Sequence, residues 1–237
     1  MPAGILFYSK QGFPGYKMVT ITEIRYLQNH VTLEISNGEK INIPVESVGI
    51  LKLSKGAEIG ADEYGLLKDE SERYACWRKS LDYLSVRARS IMEMERYLKR
   101  KGYSGEIINQ AINRLSGHGY LNDYEFASAY VRGRMKRKAV GRDYLMRELI
   151  KKGVKKDVAD SAIRDAGADR PDERRIYELA KKKYDSIREK PNPGSKLYYY
   201  LRQRGFSMRD IKPVVKRLLK EGGSDAGEAD SLEGSDE

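Results

Sequence analysis

Three stretches of the chain repeat one pattern: YLKRKGYSGEIINQAINRL from Tyr97, ELIKKGVKKDVADSAIRDA from Glu148 and YLRQRGFSMRDIKPVVKRLL from Tyr200. In each, a Leu stands four residues before a Gly: Leu98 and Gly102, Leu149 and Gly153, Leu201 and Gly205. Basic residues lie between them and an amphipathic run follows. The glycines are 51 and 52 positions apart. Gly after basic residues is how a helix ends, because Gly takes a left-handed cap and cations suit the negative helix terminus. A stop of this kind recurring at a fixed period predicts a helical repeat, in which each unit buries little alone and neighbours supply the core.

The apolar spacing fills in the units. Tyr74, Trp77, Leu81 and Leu84 predict a helix over about 70–87, with Trp77 as a core anchor. Ser90 and Glu93 spell a capping box before a helix that ends at Lys101-Gly102. Ile107, Ile108, Ala111, Ile112 and Leu115 mark a third helix after Ser104. The cycle restarts at Asp123, an expected N-cap, with Phe126, Ala129 and Tyr130 inward and a next helix over about 142–152. It restarts again at Pro171-Asp172, and its last helix is expected to begin near Arg209 with Pro213 in the first turn. The expected fold is mainly α: three tandem three-helix repeats in a curved, elongated array, preceded by a small N-terminal β module. The expected bounds are 1–65 for the β module, 70–120, 121–168 and 170–221 for the repeats, and 222–237 for a disordered acidic tail.

In the β module, residues 1–15 read as irregular, and from Tyr16 to about Ile59 the period is two. Val31, Leu33 and Ile35 face Ile41, Ile43 and Val45 across Asn37-Gly38. A two-residue Asn-Gly turn would set Leu33 against Asn42. A three-residue loop, expected to pair Ile35 with Ile41, Leu33 with Ile43 and Val31 with Val45, keeps one apolar face and is preferred. Pro44 places its strand at an edge, and Leu51, Leu53 and Ile59 suggest further short strands.

Charge narrows the partner. The chain is formally +10, yet everything after Glu221 carries six acidic groups and no Lys or Arg, so the body alone is +16. Such a balance favours a polyanion, above all nucleic acid or a nucleoprotein. The single Cys76 excludes an internal disulfide, and no window holds the roughly 20 apolar residues of a membrane helix. The N-terminus does not read as a secretory signal. The expectation is a cytoplasmic protein, monomeric, with no membrane contact.

Chemistry-bearing motifs are missing. His30 and His118 have no nucleophile or carboxylate partner, no spacing suits a metal, and neither GxxxxGK[ST] nor GxGxxG occurs. The expectation is no enzyme, no catalytic residue, no metal and no cofactor. The strong signal is basic: Arg132, Arg134, Lys136, Arg137 and Lys138 in one run, followed by Arg142. Lys151 and Lys152 sit at one repeat's turn. Arg96, Lys99, Arg100 and Lys101 hold the equivalent place in the first repeat, and Arg202 and Arg204 in the third. Regular stacking would align these turns into a stripe along a phosphate backbone or an acidic protein groove. Complementing helix ends accounts for part of them, though not for the 132–138 run.

The order Trp77…Leu81-x-x-Leu84, Ser90-x-x-Glu93, Tyr97-Leu98-x-x-Lys101-Gly102-Tyr103, Ile107…Ile112-x-x-Leu115 and Gly119-Tyr120-Leu121-Asn122-Asp123-x-x-Phe126-Ala127-x-x-Tyr130-Val131 resembles the RecX family of recombinase regulators. The resemblance covers about residues 72–220, and its second and third repeats fit more loosely. It implies a modular helical protein that lies in the groove of the RecA filament on single-stranded DNA, with weaker contact to double-stranded DNA. It also implies a block on strand exchange and filament extension, with lowered RecA ATPase, restrained recombination and a restrained SOS response. It transfers no catalytic residue and gives no role to the β module or the tail. Two other readings stand beside it: a free-standing nucleic-acid-binding helical protein, and a scaffold for another acidic protein.

Overall fold

The computed structural model describes residues 18–169 and 171–222. The irregular stretch expected at 1–15 and the acidic tail beyond Gly222 lie outside them. Among the described residues the strands are β1 (Val19–Tyr26), β2 (Val31–Ile35), β3 (Lys40–Ile43) and β4 (Glu58–Ile59), with a short helix α1 (Val45–Ile50) between the last two. Nine helices follow: α2 (Ala61–Val86), α3 (Ile91–Arg100), α4 (Gly105–Gly117), α5 (Asp123–Arg137), α6 (Arg142–Lys151), α7 (Lys156–Asp165), α8 (Glu173–Asp185), α9 (Pro193–Gln203) and α10 (Met208–Glu221). The fold is mainly α with a small antiparallel strand module. The chain divides into two compact units, one running to Val86 and taking in Tyr97–Arg114, the other comprising Arg87–Arg96 and everything from Leu115.

In the first unit four antiparallel strands lie in the order β3-β2-β1-β4. Strand side chains alternate between faces, so Val31, Leu33, Ile35, Ile41 and Ile43 share one face, and all are buried. The register differs from expectation. Leu33 pairs with Ile41 and Val31 with Ile43, because Ser36, Asn37 and Gly38 make the whole loop and the amide of Ile35 donates to the Glu39 carbonyl at 2.9 Å. A slip of two residues keeps every side chain on its face, so the apolar pattern alone does not distinguish the two registers. Val45 has left the sheet: Pro44 ends the edge strand and Val45 opens α1. Helix α2 starts nine residues earlier than the sequence reading placed it. Its first turns cover the sheet through Leu67 and Tyr64, and the Ser47 hydroxyl donates to Glu70 at 2.8 Å. The same helix buries Cys76 and Ser80, while Trp77 is only half-buried, with the Arg114 guanidinium 4.2 Å above its ring.

In the second unit α5–α7 enclose one apolar cluster (Phe126, Ala127, Val131, Leu145, Leu149, Val154, Ile163) and α8–α10 another (Ile176, Ala180, Leu197, Leu201, Phe206, Ile211, Val215). The repeated pattern now has a physical reading. Gly102, Gly153 and Gly205 have φ of +89°, +81° and +81°. The amide after each Gly donates back to the repeat's Leu: Tyr103 to Leu98 at 3.4 Å, Val154 to Leu149 at 3.1 Å and Phe206 to Leu201 at 3.3 Å. This is the Schellman ending, and all three leucines are fully buried.

Two of these turns also plug the start of an earlier helix. The Gly153 turn sits on the N-terminus of α3: the Ser90 hydroxyl donates to the Lys152 carbonyl at 2.6 Å, and a Cβ on Gly153 would lie 2.3 Å from that of Met92. The Gly205 turn sits on the N-terminus of α6 in the same way. There the amides of Gly141 and Asp143 donate to the carbonyls of Arg204 (2.9 Å) and Gly205 (3.1 Å). A Cβ on Gly141 would lie 2.0 Å from the Gly205 oxygen. Helix N-terminal amides lack partners in their own helix, and a neighbouring turn's carbonyls supply them here. Helix α10 begins at a full Ser207–Asp210 capping box, which leaves Pro213 in the second turn rather than the first. Arg209 and Pro213 are both exposed, so water reaches the carbonyl that Pro cannot serve.

Candidate nucleic-acid interface

Helix α5 carries the basic run and is held on one side only. Its N-cap is Asn122, whose side chain accepts from the amides of Tyr124 (2.9 Å) and Glu125 (3.2 Å). Asp123, expected in that role, instead accepts from the amide of Ile91 at 2.8 Å and so caps α3. Burial pushes the Asp123 carboxyl up, against that hydrogen bond. Phe126, Ala127 and Val131 face the core, whereas Ala129 is exposed. The small residues Ala129 and Gly133 form a groove with Phe126 and Tyr130, rimmed by Arg87, Arg134, Arg137 and Lys152. The rings of Phe126 and Tyr130 lie 6.2 Å apart.

Tyr130 is the polar hinge of this groove. Its hydroxyl donates to Glu148 at 3.1 Å and accepts from Arg134 Nε at 3.0 Å, and the Arg134 guanidinium lies 5.2 Å from its ring centre. Burial raises the Tyr130 phenol above its ordinary range, so it stays a donor. Lys152 Nζ is 5.4 Å from the same ring and 3.0 Å from Glu93 Oε1. Arg87 binds the other side of that carboxylate, Nη1 to Oε2 at 2.8 Å and Nη2 to Oε1 at 3.2 Å. Burial alone would raise the Glu93 carboxyl, but the hydrogen bonds from Arg87 and Lys152 outweigh it and hold the group below its usual range. The Glu93 amide donates to Ser90 Oγ at 3.1 Å, one half of the expected capping box, while the Glu93 carboxylate binds Arg87 and Lys152.

The expected stripe resolves into groups with different duties. Arg132, Lys136, Arg137 and Lys138 are exposed, and among the described residues their side chains carry no ion pair or hydrogen bond. Arg134 and Lys152 are tied as just described. Arg142 is spent on structure: it binds Asp160 and, at 2.5 Å, Asp169, and both bonds hold its guanidinium firmly charged. Lys151 is largely exposed, 3.5 Å from Glu148. Arg202 approaches Asp143 at 3.7 Å, and Arg204 donates to the Tyr200 hydroxyl at 3.1 Å. Arg96 is exposed, and in the first unit so are Lys99 and Arg100, with Lys101 lying 5.7 Å from the Tyr97 ring centre.

Arg87 and Glu148 take part in this candidate site although the sequence did not single them out, and Glu93, expected only as a capping residue, takes part as well. The cue was the basic Arg87-Ala88-Arg89 directly before Ser90-x-x-Glu93. Among the described residues no group of three or more His, Cys, Asp or Glu side chains is placed to hold a metal ion. Burial pushes the Cys76 thiol up to about 11, so it stays protonated. Among the same residues no helix is long and apolar enough to cross a membrane.

Comparison with known proteins gives this chain relatives. The families described as "RecX, first three-helix domain" and "RecX, second three-helix domain" match residues 76–115 and 122–163. "Regulatory protein RecX" of Pelodictyon phaeoclathratiforme is 32% identical over 148 residues, 62% of this chain and 90% of that protein. The Bacillus subtilis protein of the same name is 38% identical over 112 residues, 47% of this chain. The chain spans about half the length of the first relatives it matches, 42% in B. subtilis and 54% in Bacillus licheniformis. A crystal structure of regulatory protein RecX superposes with a TM-score of 0.68 at 20% identity, covering 85% of this chain and 99% of that one, which shows the shared fold.

Proposed function

The chain belongs to the RecX family of regulatory proteins, and from that premise we propose that it binds the RecA–single-stranded DNA filament and inhibits it without chemistry of its own. In this reading it lowers RecA ATP hydrolysis, strand exchange and SOS co-protease activity and so limits homologous recombination. It acts as a cytoplasmic monomer and contacts double-stranded DNA more weakly. The observation that carries the interface is the exposed, unpaired set Arg132, Lys136, Arg137 and Lys138 beside an aromatic-floored basic groove. Cations without internal partners offer their full charge to a phosphate, and flat rings such as Tyr130 suit bases. Arg96, Arg134, Lys151, Lys152, Arg202 and Arg204 are further candidate contacts within the second unit, and Lys99, Arg100 and Lys101 are candidate contacts in the first. Arg142 drops out, because its charge is consumed by two aspartates.

The test reverses charge where nothing structural is lost. Replacing Lys136, Arg137 and Lys138 by Glu should leave circular dichroism unchanged and abolish inhibition of RecA ATP hydrolysis on single-stranded DNA. Arg134 is left intact, because a Glu there would face Glu148. Unchanged inhibition by the folded variant would remove this face from the interface. The aromatic floor also favours a second reading, direct binding of nucleic acid without RecA. That reading requires inhibition only when the DNA is saturated.

A further inference from the structure

Glu93 sits where a ligand's anion would sit. Arg87 grips it with two guanidinium nitrogens at 2.8 and 3.2 Å, and Lys152 adds a third contact at 3.0 Å. A forked guanidinium with an ammonium beside it is the arrangement that recognises a phosphate's oxygens. Both cations also line the groove of α5, together with Arg134 and Arg137. The second acid of the neighbourhood, Glu148, is held by Tyr130 and approaches Arg134 only at 4.0 Å. Glu93 is 16% exposed while Arg87 remains 47% exposed, so the cation is within reach of an incoming group although its partner is tucked away.

We propose that Arg87 and Lys152 form a phosphate-binding site at the edge of the groove, which Glu93 fills in cis, and that a nucleic-acid phosphate enters by displacing the Glu93 carboxylate. The proposal rests on the reading of the groove as a nucleic-acid interface. Displacement exchanges one anion for another on the same two cations, so the ion pair restrains binding rather than assisting it. A carboxylate that serves only to latch α3 to the Gly153 turn would behave in the opposite way, since its loss would loosen the groove and weaken binding.

The experiment is titration of a fluorescently labelled oligo(dT) with the full chain, as wild type, Glu93→Gln, Arg87→Gln and the double variant, beside thermal denaturation of each. Glu93→Gln should bind about tenfold tighter at low salt, while being less stable, because the carboxylate no longer competes with phosphate for Arg87 and Lys152. The double variant should lose that gain, which assigns the effect to the pair. A folded Glu93→Gln that binds no tighter overturns the proposal. Should that variant fail to fold, Lys152→Gln decides: losing a phosphate contact should lower the salt slope of binding by about 0.7, and an unchanged slope overturns the proposal equally. Wild type that binds neither the oligonucleotide nor RecA on it would instead sink the interface reading as a whole.

Discussion

Two carboxylates at the start of α3 titrate with opposite consequences. Glu93 is held below its usual range by Arg87 and Lys152, which outweigh its burial. Its contribution to stability is therefore present above its unfolded pKa and is lost as pH falls through the lower folded one. Asp123 is raised by burial, so its contribution runs the other way: stability is lost as pH rises from the unfolded value through the raised folded one. Asparagine at 123 would keep the acceptor for the Ile91 amide without a charge to bury. Asp123→Asn should thus be neutral or stabilising at pH 7, and should steepen acid unfolding by removing the term that offsets Glu93. Denaturant midpoints at pH 7 and from about pH 5 to about pH 3, roughly one unit either side of ordinary carboxyl values, check both signs. A large loss at pH 7 would mean that the ionised form is required at this cap.

At the scale of the element, the glycine that the sequence repeats three times is not equally demanding in each place. Gly102 needs only its left-handed backbone, since an added Cβ meets nothing within 4 Å. Gly205 has the same φ region and would also drive a Cβ to 2.0 Å from the Tyr144 amide nitrogen. Gly102→Ala should therefore cost about 1–2 kcal/mol, the strain of a left-handed residue, and Gly205→Ala about 3 kcal/mol or more, since backbone must move as well. Urea unfolding of both variants measures the difference, and equal costs would refute the plugged joint. The Leu-x3-Gly spelling made the helix stops legible, because a local hydrogen-bond geometry dictates it. It could not reveal the joint, since Gly141 and Gly205 are 64 positions apart and meet only in the fold. The same limit explains the hairpin. The apolar face of Val31, Leu33 and Ile35 could be read, yet two registers preserve it, and the Ser36–Gly38 loop chose between them. The early start of α2 was hidden by Gly65, which a helix tolerates at modest cost while Leu67 packs on the sheet.

Over the whole molecule the legible part of the candidate site was its charge, and the illegible part was which of those charges the fold pairs. A run of cations is visible in a sequence, but the partner that consumes one is not: Arg142 stands in line with Arg137 and Lys138, and only the fold brings Asp160 and Asp169 to it. The same reasoning applies to the longest-range electrostatic feature, the six acidic groups after Glu221 against a body whose charge is +16 without them. A tethered anion competes with nucleic acid at an effective concentration set by its linker, and both terms are screened by salt. Removing residues 222–237 should therefore tighten binding to single-stranded DNA at about 50 mM salt by several-fold and leave it nearly unchanged at about 300 mM, where the Debye length is only a few ångströms. The steeper salt dependence of the shortened chain is the diagnostic, because a tail that merely aids solubility would alter neither affinity nor slope. Combined with Glu93→Gln, the two gains should multiply if the tail competes along the exposed cations of α5 while Glu93 competes only at Arg87 and Lys152. A combined gain no larger than either alone would mean that tail and carboxylate guard the same cations.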